Sequence, residues 1–156
     1  MKISFQGELG AYSHQACVEA YPDAEVVACH SFEGAIAAVN EGQADLAMLP
    51  VENSTYGRVA DIHHLLPESG LHIIGEHFVR VHINLLGTPG AKLADVKTAM
   101  SHTVLLGQVR SFLAEHNIRP LIGADTAGSA KHVAAQADST LAALASPLAG
   151  EIYGLV

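Results

Sequence analysis

Hydrophobic and polar positions follow two rhythms along the first part of the chain. "KISFQ", "EVVAC" and "LAML" are apolar runs of strand length, separated by segments with helical spacing. "HQACVEAY" reads as a helix closed by Pro22 and Asp23. "FEGAIAAVNEG" reads as a helix capped by Ser31 and stopped at Gly42. "RVADIHHLL" places Val59, Ile62, Leu65 and Leu66 on one helical face. Strand and helix alternating in this order predict a parallel sheet covered by helices.

"LHIIGEHFVRVHINLLG" breaks that alternation, being β-branched and strand-like throughout. A strand of this length passes from one sheet to another, which places a crossing at residues 76–82. It divides the chain into a first lobe, 1–77, and a second, 78–156. In the second lobe "DVKTAM" reads as a short helix, "VLLGQVRSFLAEH" as an amphipathic helix and "RPLIGA" as a strand. Asp125 or Thr126 caps "AGSAKHVAAQA". "TLAALA" is a further strand, and "PLAGEIYGL" a helix with Pro147 at its favoured first-turn position. The predicted fold class is α/β, two-lobed, with a mainly parallel sheet in each lobe.

Composition narrows what such a fold is for. Nearly half of the 156 residues are hydrophobic, enough for a packed core. The formal charge of −8 opposes nucleic-acid binding, which needs a basic face. No apolar run reaches the ~18 residues of a membrane span, and "MKISFQG" has no apolar signal region, so a cytoplasmic protein is expected. Cys17 and Cys29 form no metal pattern and read as buried thiols. His63 and His64 point to different helix faces. His72, His77 and His82 lack any zinc spacing, so no metal site is expected. "GELG" fails the dinucleotide fingerprint, and Ser101–His102 lacks the G-x-S-x-G elbow.

Three loops combine small residues with neutral donors: "GELGAYS", "VENSTYG" and "GADTAGSA". Glycine lets backbone approach a ligand, and hydroxyls, amides and helix N-termini suit a carboxylate or phosphate. The ordinary alternative makes Ser54, Thr55, Thr126 and Ser129 helix caps or surface residues, and sequence alone leaves both readings open.

"GELGAYSHQA" (7–16), "LPVENSTYGRV" (49–59), "SHTVLLGQVRSFL" (101–113), "DTAGSAKHVA" (125–134) and "ALASPLAGEIYGL" (143–155) together resemble the catalytic domain of prephenate dehydratases. The resemblance covers essentially the whole chain. It implies a two-lobed fold like a type II periplasmic binding protein. It also implies a cofactor-free conversion of prephenate to phenylpyruvate, with loss of water and carbon dioxide, in phenylalanine biosynthesis. By resemblance, Asn53, Ser54 and Thr55 are substrate-binding donors and Gly57 permits their turn. Thr126, Ala127 and Gly128 form a facing donor loop with Ser129 in its first turn. Ser101 and His102 belong to the second lobe's wall, and Tyr12 and Ser13 lie within reach of the cleft. Glu52 is expected to be structural, because an anion beside a dianionic substrate weakens binding.

This sequence departs from the family at Thr103, Val104 and Val109, where Pro, Gln and Cys are common. The family's catalytic Thr-Arg-Phe motif is expected past Val156, with a return segment to the first lobe and a phenylalanine-binding ACT domain. The 156-residue chain alone is therefore expected to have little activity. Prephenate is the expected ligand and a homo-oligomer the expected assembly, with no nucleic-acid or membrane partner. The competing class is a non-catalytic small-anion-binding module of the same fold.

Overall fold

A computed structural model describes residues 1–156. The chain forms two compact units, Met1–Glu8 with Tyr12–Arg80, and Leu9–Ala11 with Val81–Val156. The division expected after residue 77 lies inside the last stretch of the first unit.

The first unit is built on β1 (Lys2–Gln6), flanked in parallel by β2 (Glu25–Cys29) and β3 (Leu46–Met48). Ile3, Ser4 and Phe5 are fully buried, so β1 is covered on both faces, as a central parallel strand is. The Ser4 hydroxyl is tolerated there because it donates to Ala35 O at 2.7 Å. The covering helices are α1 (Tyr12–Ala20), α2 (Phe32–Asn40) and α3 (Ala60–Leu65), the last running into a 3-10 turn, Leu66–Glu68. Ser31 caps α2 by accepting from Gly34 N at 3.1 Å, as its sequence position predicts. A short antiparallel pair, β4 (Glu52–Asn53) and β5 (Gly57–Arg58), precedes α3. Of the apolar face expected on α3, only Ile62 is buried.

The second unit has four strands: β6 (Asn84–Leu86), β7 (Thr98–Ser101), β8 (Arg119–Ile122) and β9 (Leu141–Ala145). Their order is β6-β9-β7-β8, with β7–β9 and β7–β8 parallel and β6 antiparallel to β9. Its helices are α4 (Thr103–Gln108), α5 (Arg110–Glu115), α6 (Thr126–Gln136) and α7 (Pro147–Tyr153). Ala143 and Ala145 pack with Leu86, Ala130, Val133 and Ala149 in one cluster. Ala142 and Leu144 pack with Val96, Ala99, Leu106 and Leu113 in another. No helix is long and apolar enough to cross a membrane.

Three local expectations are corrected. Residues 71–87 do not form one long strand, because strand pairing exists only at Asn84–Leu86, against β9. β-Branched composition favours a strand only where a neighbour accepts its backbone bonds. "DVKTAM" is not a helix: Leu93–Asp95 is a 3-10 turn, and Thr98–Ser101 is a strand paired on both sides. The helix expected over 104–116 is two helices broken at Val109, which caps one and starts the other. Gly107 and β-branched Val109 both weaken helix there.

In the first unit the His14 ring is buried and stacks on Phe5, their centroids 5.3 Å apart. Burial holds its imidazole below the ordinary value of 6.5. The folded state therefore binds fewer protons than the unfolded one, and this group's support for folding is lost as pH falls through 6.5. The unfolding free energy from urea denaturation should fall on acidification below 6.5, with a slope of at most about 1.4 kcal/mol per pH unit from this one group. Substituting His14→Gln should flatten that part of the curve. An unchanged profile would place the acid sensitivity elsewhere.

Candidate functional site

The stretch "ENSTYGR" forms a tight β-hairpin. Glu52 stands opposite Arg58 and Asn53 opposite Gly57. The Asn53 Oδ1 accepts from Thr55 N at 2.8 Å and Tyr56 N at 3.1 Å, so this side chain builds the turn. Gly57 has φ +80°, a conformation that closes such hairpins and that other residues resist. Ser54 and Thr55 are lifted to the exposed tip, and their hydroxyls have no partner. The helix-cap reading of these two residues is corrected: α3 starts after Val59 with no side-chain cap, because the hairpin separates Ser54 and Thr55 from it.

In the second unit the carboxyl ends of β7, β8 and β9 lead to the N-termini of α4, α6 and α7 at one edge of the sheet. Ser101 ends β7. It is fully buried and donates its hydroxyl proton to Leu144 O at 2.7 Å, while its own carbonyl accepts from Gly123 N at 2.8 Å. That hydroxyl ties two strands together. His102 is exposed, and its Nδ1 accepts a long bond from Val104 N at 3.3 Å at the start of α4.

Asp125 is the cap of α6. Its carboxylate accepts from Gly128 N at 2.6 Å and its carbonyl from the Ser129 hydroxyl at 2.6 Å. Gly128 is needed because a Cβ would lie 2.7 Å from the Asp125 Oδ2. Ala127 is fully buried and Ser129 nearly so. Thr126 alone among these residues has a partly exposed hydroxyl without a partner.

The predicted residues thus separate by unit. Asn53, Ser54, Thr55 and Gly57 share the hairpin of the first unit. Ser101, His102, Thr126, Ala127, Gly128 and Ser129 share one sheet edge of the second. No group of three His, Cys, Asp or Glu side chains is placed to hold a metal ion. Cys17 and Cys29 are free thiols, and burial pushes Cys17 up to about 11. Burial likewise pushes the Tyr12 phenol up to about 12, so it stays neutral.

Sequence reasoning missed one part of this edge. The loop tip Leu9–Ala11 belongs to the second unit. The Ser146 hydroxyl donates to Gly10 O at 2.5 Å and accepts from Ala149 N at 3.0 Å, and the Tyr153 hydroxyl donates to Leu9 O at 2.8 Å. Gly10 has φ +92°, and a Cβ there would stand 2.7 Å from the Ala149 Cα. The available signal was Ser146 directly before Pro147, a cap whose hydroxyl has a proton left to donate.

The sequence matches the model of the family "Prephenate dehydratase" over residues 3–156. The chain belongs to the prephenate dehydratase family. It is 49% identical over 153 residues to a bifunctional N-acyl-homoserine lactone acylase/prephenate dehydratase from Komagataeibacter europaeus, covering 98% of this chain and 54% of that protein. It is 40% identical over 155 residues to arogenate dehydratase/prephenate dehydratase 1 from Arabidopsis thaliana, covering 99% of this chain and 40% of the relative. A prephenate dehydratase from Arthrobacter aurescens, solved with L-Phe, superposes with a TM-score of 0.88 at 29% identity. That match covers 97% of this chain and 52% of the other. The chain spans about half the length, or less, of these prephenate dehydratase relatives.

The committed and the open hydroxyls of this family member should separate in stability measurements. Ser101→Ala leaves the Leu144 carbonyl without its side-chain donor and should cost about 1–3 kcal/mol by urea denaturation. Gly10→Ala should cost about 2 kcal/mol or more, from backbone strain and the Ala149 clash. Ser54→Ala and Thr55→Ala should stay within about 0.5 kcal/mol of the parent. Equal losses at all four would mean that the exposed hydroxyls also serve the fold.

Proposed function

We propose that the chain is the substrate-binding part of a prephenate dehydratase, converting prephenate to phenylpyruvate, water and carbon dioxide. One observation carries this reading beyond the family match. Ser54, Thr55 and Thr126 lie in the loops that define the resemblance, and each keeps an unpartnered hydroxyl open to solvent. Elsewhere in the candidate set, Ser101 and Ser129 have committed theirs to the backbone.

The chemistry asks for such donors. The carbon–carbon bond to the ring carboxylate breaks and releases carbon dioxide. Its electron pair enters the ring, and the ring hydroxyl leaves as water after gaining a proton. Aromatisation drives both departures. A dense cationic pocket would hold the ring carboxylate in place, whereas neutral hydrogen-bond donors orient the dianion without stabilising that ground state. Thr126 and the hairpin hydroxyls supply such donors, and His102, exposed at the start of α4, is a group able to carry a proton.

The K. europaeus relative is also named for an N-acyl-homoserine lactone acylase activity. Amide hydrolysis of that kind needs an activated nucleophile. Ser101 is no support for it, since its hydroxyl is buried against Leu144 O. The dehydratase reading is therefore the one the site favours.

The test is calorimetric binding of prephenate, with phenylpyruvate formation measured in parallel and arogenate and an N-acyl-homoserine lactone as comparison substrates. Thr126→Val should weaken prephenate binding or kcat/KM about tenfold or more, a loss of roughly 1.4 kcal/mol, while Tm stays within a few degrees. A lowered Tm with unchanged activity per folded molecule would make Thr126 structural. Binding without turnover would favour the anion-binding module. Turnover of the lactone alone would overturn the dehydratase reading.

A further inference from the structure

The carbonyl that receives the Ser129 hydroxyl belongs to the Thr126 peptide as much as to Asp125. Ser129 is buried, and its Oγ donates to Asp125 O at 2.6 Å while its backbone N–H reaches the same oxygen at 3.2 Å. A helical serine commonly bonds back to the carbonyl four residues earlier. Here that carbonyl lies at the cap of α6 and shares one rigid plane with the Thr126 N–H. Holding the oxygen therefore holds the plane from which the Thr126 side chain projects. The Asp125 carboxylate, bonded to Gly128 N at 2.6 Å, secures the same residue from its side chain.

The Ser129 hydroxyl is itself set in place by Gly123. A Cβ on Gly123 would fall on the Ser129 Oγ, and the next nearest atom is the Met100 Cε at 3.2 Å. Gly123 does not have a positive φ, so steric room rather than backbone conformation calls for glycine here. Its position is referred to the sheet: Gly123 N donates to Ser101 O at 2.8 Å, and the Ser101 hydroxyl donates to Leu144 O at 2.7 Å. β9, β7, the residue after β8 and the first turn of α6 are thus joined in one buried series that ends at the open hydroxyl of Thr126.

We propose that Ser129 is a positioning residue: seated in the space beside Gly123, its hydroxyl fixes the Asp125–Thr126 peptide and so aims the Thr126 hydroxyl. Ser129 then acts through Thr126 and touches no substrate, in place of the direct binding role that the resemblance implies. The proposal rests on the reading of Thr126 as a prephenate donor, while the positioning itself has a readout that needs no substrate.

Calorimetric titration with prephenate and 15N relaxation of the free chain test it together. Ser129→Ala keeps the backbone bond to Asp125 O, so the variant should fold with a Tm near that of the parent. Its prephenate dissociation constant should rise about fivefold, and the order parameter of the Thr126 amide should fall below the rigid value of about 0.85. Placed in Thr126→Val, the same change should add nothing, because the hydroxyl it aims is gone. Gly123→Ala should weaken binding by the same factor and also lower Tm. Adding Ser129→Ala to Gly123→Ala should restore Tm, since the new methyl takes the place of the hydroxyl, and should leave binding weak. An unchanged Thr126 order parameter in Ser129→Ala would overturn the positioning role. So would a loss of the same size repeated in the Thr126→Val background, which would return Ser129 to direct contact with substrate. Thr126→Val binding prephenate as the parent does would instead overturn the reading of Thr126, and the amide measurement would still decide what Ser129 does to it.

Discussion

The second unit depends on one strand being thin. β9 is buried along nearly its whole length and has sheet neighbours on both sides. Its alternate residues enter two different clusters, Ala143 and Ala145 one, Ala142 and Leu144 the other. Three alanines let backbone and helices close on the strand from both faces, and a larger residue would have to displace a packed neighbour. The same strand sets the sheet edge, since Ser101 is fixed through the Leu144 carbonyl and Ser146 follows directly at the strand's end.

The division of labour among hydroxyls follows from that packing. A serine next to a buried strand must find a carbonyl, and Ser4, Ser101, Ser129 and Ser146 each do. Where the backbone turns outward, as at the hairpin tip and the first residue of α6, no such pressure exists. The hydroxyls there remain open to an external acceptor. Burial and chemical availability are thus complementary readings of the same side-chain type.

Much of this was legible in the sequence because it is local. Ser31, Asp125 and Pro147 act within a few residues of themselves, and each starts a helix where its position indicates. The order of strands and helices follows from short apolar runs in the same way. What escaped was decided at a distance. Thr98–Ser101 is a strand because β8 and β9 flank it, and 71–83 is not one because nothing does. In the site, the loops were recognisable but the roles inside them were not. Ser101 differs from Thr126 through a carbonyl 43 residues away, and Gly10 is constrained by a serine 136 residues away. Asn53 proved to build its turn, a role that depends on its oxygen meeting two backbone N–H groups.

Asp125 leaves one more mark on the chemistry of α6. A helix N-terminus ordinarily offers an anion about half a positive charge. Here a carboxylate of the chain itself already sits on that end, bonded to Gly128 N. An anion arriving beside Thr126 therefore meets directed hydrogen bonds rather than an attractive field. Recognition of that kind is insensitive to ionic strength, and it discriminates by the shape and placement of oxygen atoms more than by the number of charges they carry.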